Sequence, residues 1–109
     1  MLRIVQEHTA SGSTSWMPAR NSETAYSLHT HTAQALVSSG TLTGGVTIYG
    51  TNDESDTVGH VIVTFTFTAA ANGDRATPVF SQHSWEFVRS ECTSISGTSA
   101  RLRVTVAGA

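Results

Sequence analysis

Apolar and polar positions along the chain alternate with a period of two, the spacing that puts one face of a β-strand inward and the other toward solvent. The clearest stretch is 60–68, where Val61, Val63, Phe65 and Phe67 point one way and Ile62, Thr64, Thr66 and Thr68 the other. The same alternation marks 33–37 through Ala33, Ala35 and Val37, and 45–50 through Val46 and Ile48. It returns at 100–106, where Ala100, Leu102, Val104 and Val106 oppose Arg101, Arg103 and Thr105. In 84–90, Trp85, Phe87 and Arg89 share one face and Glu86, Val88 and Ser90 the other, and the two aromatic rings mark theirs as the core face. Nowhere do apolar residues recur at helical spacing over the length a helix needs.

Turn residues separate these runs. Ser38-Ser39-Gly40, the polar cluster 51–56, Asn72-Gly73-Asp74 and Ser96-Gly97-Thr98-Ser99 supply the breaks, the last reading as a hairpin-like turn. Short strands joined by polar turns predict an all-β fold: a single-domain antiparallel β-sandwich, jelly-roll-like, with an extended N-terminal arm. The domain covers 28–109. Residues 1–27 lack a sustained period and read as the arm or as a first strand folded onto the domain; fully extended, such a segment reaches about 90 Å. Within it Trp16 and Met17, followed by Pro18, stand as anchor residues.

Composition narrows the function. The chain has 109 residues, the size of one domain, with 13% charged residues and a net charge of -2, so there is no basic excess to neutralise nucleic-acid phosphates. All 6 positive side chains are arginine. Arginine suits interfaces because its planar fork pairs bidentately and is weakly hydrated. The single cysteine, Cys92, excludes an internal disulfide and reads as a small buried hydrophobe. Residues 1–10 do not have the pattern of a signal peptide and no apolar run is long enough for a bilayer, which predicts a protein made in a cytoplasm with no membrane partner.

Candidate chemistry is sparse. His29 and His31 alternate on one strand face and so offer two imidazoles to a metal, but no third ligand lies nearby; solvated or hydrogen-bonded strand histidines are the competing reading. Asp53, Glu54 and Asp56 carry oxygen ligands without the spacing of a calcium loop. Gly44-Gly45 lacks the lysine and helix of a phosphate loop, and no serine sits in a nucleophile elbow. No enzyme, cofactor or metal site is expected. Trp16 and Trp85 leave open a sugar-stacking surface. The residues expected at an interface are Leu2, Ile4, Trp16, Met17, Arg20, Arg101 and Arg103.

From Gly45 onward the chain resembles small β-sandwich proteins of tailed-bacteriophage virions. The resemblance is carried by Val46-Thr47-Ile48-Tyr49-Gly50-Thr51-Asn52-Asp53, Trp85-Glu86-Phe87-Val88-Arg89, Thr93-Ser94-Ile95-Ser96-Gly97-Thr98 and Leu102-Arg103-Val104-Thr105-Val106. It implies a capsid decoration, or cement, protein: a homotrimer on the virion's capsid surface whose partner is the major capsid protein, bracing the head without a cofactor. The alternative is a carbohydrate- or host-receptor-binding module of a phage tail.

Overall fold

A computed structural model describes residues 2–19, 31–81 and 85–108. Their strands are β1 (Leu2–His8), β2 (Gly12–Ser13), β3 (Met17–Pro18), β4 (His31–Ser39), β5 (Thr41–Thr51), β6 (His60–Ala71), β7 (Val79–Ser81), β8 (Phe87–Ser96) and β9 (Arg101–Gly108). One sheet runs β1-β9-β4-β7; the other runs β2-β8-β5-β6, with β3 also on β8. Every pairing is antiparallel. Taking β2 and β3 as two pieces of one interrupted strand, this is the strand order of a jelly roll. Among the described residues only β5 and β6 form a hairpin within a sheet; with β2 and β3 taken as one strand, the other connections cross between sheets.

The core lies between the sheets. Ile4, Ala33, Ala35, Val37, Leu102, Val104 and Val106 come from the first sheet, and Leu42, Val46, Ile48, Phe65, Phe67, Val88 and Cys92 from the second. Each fully buried branched or aromatic side chain contributes about 1.5–3 kcal/mol. The alternation in 33–37 and 100–106 thus assigns the inward faces correctly. Cys92 is buried and free, and burial pushes its thiol pKa up, as suits an inert core residue.

Four expectations are decided by the fold, three of them as corrections. First, of the two readings of the N-terminal segment, residues 2–8 take that of a first strand folded onto the domain: β1 pairs β9 without a break, from Leu2 opposite Gly108 to His8 opposite Leu102. Alternation buries Ile4 and His8 there and turns Arg3, Val5 and Glu7 outward. The remainder of the expected arm from Arg20 onward lies outside the described residues. Second, Val61 is 61% exposed, because a bulge between Ile48 and Tyr49 puts Val61 opposite outward-facing Tyr49.

Third, the face of β8 that turns inward carries Val88, Ser90 and Cys92, leaving Phe87 half-buried on the outside and Trp85 only partly buried. The phase of alternation is as expected and the direction is reversed. Arg89 shares the face of Phe87, and burying a guanidinium costs far more than burying Ser90, whose hydroxyl finds partners inside. Fourth, residues 96–99 do not close a hairpin, since β8 and β9 belong to different sheets.

Candidate functional site

Two outer surfaces carry chemistry, one on each sheet. On the second sheet, Trp16 sits just before β3 and its indole N–H donates to the Asp56 carbonyl at 2.8 Å. The ring packs on Gly59, whose φ is +85° and where a Cβ would come within 2.5 Å of the indole, so the position requires glycine twice over. The Arg89 guanidinium lies 4.2 Å from the Tyr49 ring centroid and 5.3 Å from that of Trp16, and its Nη2 donates to the Val58 carbonyl at 2.8 Å. The Tyr49 hydroxyl donates to Glu91 Oε2 at 3.2 Å. Ser13, Ser15, Trp16, Glu54, Arg89 and Glu91 are among the residues around an open groove of about 490 Å³.

The loop beside this groove is held by its own carboxylates. Asp53 Oδ1 accepts from the Ser55 amide at 3.0 Å and the Ser55 hydroxyl at 2.7 Å. Asp56 Oδ1 accepts from the amides of Val58 at 2.9 Å and Gly59 at 3.0 Å. These donors favour the charged forms and hold both acids below the ordinary carboxylate value. The oxygens that a calcium reading would use therefore brace the loop. Asp56 also fixes Trp16 through its carbonyl, which ties the groove to the β5–β6 connection.

Both tryptophans are engaged within the fold. Trp85 stacks on His60 with centroids 5.4 Å apart, and a Cβ on Gly50 would fall 2.6 Å from its ring. Trp16 packs on Gly59, with the Arg89 guanidinium 5.3 Å from its ring centroid.

His31 is 1% exposed, and its Nε2–H donates to the Ala19 carbonyl at 2.8 Å. That bond anchors the segment after β3 to β4, which is the hydrogen-bonded reading of this histidine. His29 lies outside the described residues. Among the described residues no group of three His, Cys, Asp or Glu is placed to hold a metal ion.

A trio that sequence reasoning missed joins β1 to β8 across the two sheets. Ser90, 0% exposed, donates through its hydroxyl to Gln6 Oε1 at 2.6 Å, and His8 Nε2 lies 2.7 Å from the Ser90 Oγ. Gln6 and His8 sit more than eighty positions before Ser90, so no local motif marks the trio.

Desolvation lowers the His8 pKa from its ordinary 6.5. The unfolded chain then binds the proton more readily than the folded one, so the stability from neutral His8 is present above pH 6.5 and is lost as pH falls below it. Thermal melts at pH 8 and pH 5 should show a larger loss for the native chain than for a His8→Gln variant. Equal losses would remove His8 as the cause.

The second surface is the outer face of the first sheet. Arg3, Val5 and Glu7 of β1, Arg103 and Thr105 of β9, and Gln34 and Leu36 of β4 line a shallow depression of about 430 Å³. Glu7 Oε1 accepts from Arg103 Nη2 at 2.9 Å and Nε at 3.0 Å, and Arg101 Nε approaches Oε2 at 3.7 Å. These are exposed pairs and add little stability. Their effect is on charge: three arginines share the face with one carboxylate.

Of the expected interface residues, Arg101 and Arg103 meet on this face. Ile4 is a correction, since at 6% exposure it belongs to the core. Trp16 and Met17 stand on the other sheet, Met17 42% exposed. The backbone of Leu2 pairs with Gly108, and Arg20 lies outside the described residues. Arg3, Val5 and Glu7 were not anticipated, although their alternation with Ile4 and His8 is readable in the sequence.

The sequence matches no protein-family model and no curated protein. Among solved structures it is similar to a chain from work reporting that "Bacillus endospore appendages form a novel family of disulfide-linked pili", with 21% identity, a TM-score of 0.46, and coverage of 95% of this chain and 81% of that one. At that distance the likeness carries no inference about function.

Proposed function

We propose that the protein is a non-enzymatic structural component of a virion, a capsid decoration protein that binds the outer surface of the major capsid protein. The observation that supports this reading is the outer face of the β1-β9-β4-β7 sheet, where Arg101 and Arg103 meet Glu7 and Arg3 shares the same face of a two-layer scaffold. An arginine-bearing sheet face fits an acidic protein surface, since guanidinium forks pair with carboxylates and lose little on desolvation. A ligand that binds only the assembled shell stabilises that shell by mass action, and the role needs no cofactor.

The test is co-sedimentation of the purified protein with expanded, undecorated capsids built from the major capsid protein encoded in the same genome. Binding is expected at low salt and should weaken as salt rises. Arg101→Glu with Arg103→Glu should weaken it by about tenfold or more. Absence of binding, or binding indifferent to both arginines, would overturn the reading.

A further inference from the structure

The two sheets end in four edges, and these differ in how open they are to another strand. β7 has only 3 residues. β2 and β3 have 2 residues each and include Pro18, which offers no N–H. β6 is long, but bulges interrupt its ladder on both sides of 63–67, and bulges twist an edge away from a would-be partner. β1 has 7 residues in unbroken register with β9, and among the described residues nothing pairs with its other side. Among the described residues it is the regular open edge.

Its sequence is also self-complementary. Leu2-Arg3-Ile4-Val5-Gln6-Glu7-His8 has Val5 at its centre, with Arg3 two positions before and Glu7 two positions after. We propose that β1 pairs antiparallel with β1 of a second copy about a two-fold axis through Val5, joining the two β1-β9-β4-β7 sheets into one continuous sheet.

The register follows from geometry. Residues directly opposite in an antiparallel pair put their side chains on the same face. A one-residue slip would set outward residues against inward ones, so only registers that keep Arg3, Val5 and Glu7 on one face are open. With Val5 on the axis the whole of β1 pairs, Arg3 faces the second copy's Glu7, and Glu7 faces the second copy's Arg3. Sliding by two residues places Arg3 opposite Val5 and discards both charge pairs.

The side chains have capacity for the contact. Glu7 Oε1 is taken by Arg103, but Oε2 has only the longer approach of Arg101 at 3.7 Å, and among the described residues Arg3 makes no ion pair. Val5 is 48% exposed and would meet its own copy across the axis, covering apolar surface on both. Charges on a natural edge usually repel a second copy; here the order of the charges makes the same edge attractive to itself.

Sedimentation velocity of the full chain tests the proposal without any capsid, so its failure is separable from failure of the decoration reading. The native chain should form a dimer that weakens with salt. Arg3→Glu alone and Glu7→Arg alone each set like charges opposite and should raise the dissociation constant by about tenfold or more. An equimolar mixture of the two variants puts opposite charges together at both positions and should restore dimers. A native chain that stays monomeric or forms trimers would overturn the proposal, as would single variants that dimerise like the native chain or a mixture that does not recover. Should either charge variant fail to fold, Val5→Cys at an exposed position carries the test: it should form a disulfide-linked dimer on oxidation, Cys92 being buried, and no cross-link would count against the pairing.

Discussion

Replacing Leu102 by alanine should destabilise the protein by about 2–5 kcal/mol, seen as a fall in the thermal midpoint of about 10 °C or more. Leu102 is 0% exposed, pairs His8 on one side and Val37 on the other, and faces the second sheet. Truncation removes the transfer energy of the lost carbons and leaves a cavity that two hydrogen-bonded neighbours prevent from closing. An Arg103→Ala variant, one residue along on the outer face, should shift the midpoint far less, because an exposed ion pair contributes little. Similar shifts for the two would mean that β9 is not packed as described.

Gly44→Ala should be comparably damaging, at about 3 kcal/mol, for the opposite reason. A Cβ on Gly44 would lie 2.1 Å from the Ser94 carbonyl oxygen and 2.9 Å from the Ile95 Cα, both backbone atoms of the neighbouring β8. β5 is held between β6 and β8, so it cannot step aside without breaking a ladder. At Gly45 the nearest atom is the Phe65 carbonyl oxygen at 3.1 Å, followed by side-chain atoms at 3.4 Å, and Gly45→Ala should cost less. Denaturant melts of both variants check the order. The Gly44-Gly45 pair, weak as a phosphate loop, is explained at its first position by the close approach of two strands.

The reading of the tryptophans illustrates how local pattern and tertiary structure diverge. Alternation places Trp85, Phe87 and Arg89 on one face of a strand, which is correct, and ring size suggests that this face is the core. Position 90 reverses the choice. Ser90 is acceptable inside only because Gln6 and His8, from the far end of the chain, supply its partners. Arg89 finds its stabilisation outside, between the rings of Tyr49 and Trp16. Neither arrangement could be read from 84–90 alone.

The two candidate surfaces were legible to different degrees. Arg101 and Arg103 stand out because they alternate with Leu102 and Val104, so their outward position follows from the buried side of the same strand. That they meet Glu7 depends on β1 lying beside β9, a pairing between opposite ends of the chain. The Trp16 groove was legible only as an unplaced aromatic. Its partners Asp56, Gly59 and Arg89 come from the β5–β6 connection and β8, and no spacing rule links them.

By itself, the sequence determined that the chain forms strands and which residues of 33–37 and 100–106 face inward, because period-two alternation is a local property. It also determined the character of β1, whose charges and central valine are set whatever lies next to them. Only the tertiary structure decided which strands pair, which face of β8 is inside, and that a bulge turns Val61 to solvent. It also decided, between the two readings open for residues 2–8, that they form an edge strand. The physical reason is that a strand's backbone can bond to any other strand; its partner is chosen by the packing of both sheets together, and burial of a polar group is settled by residues that only the completed fold brings within reach.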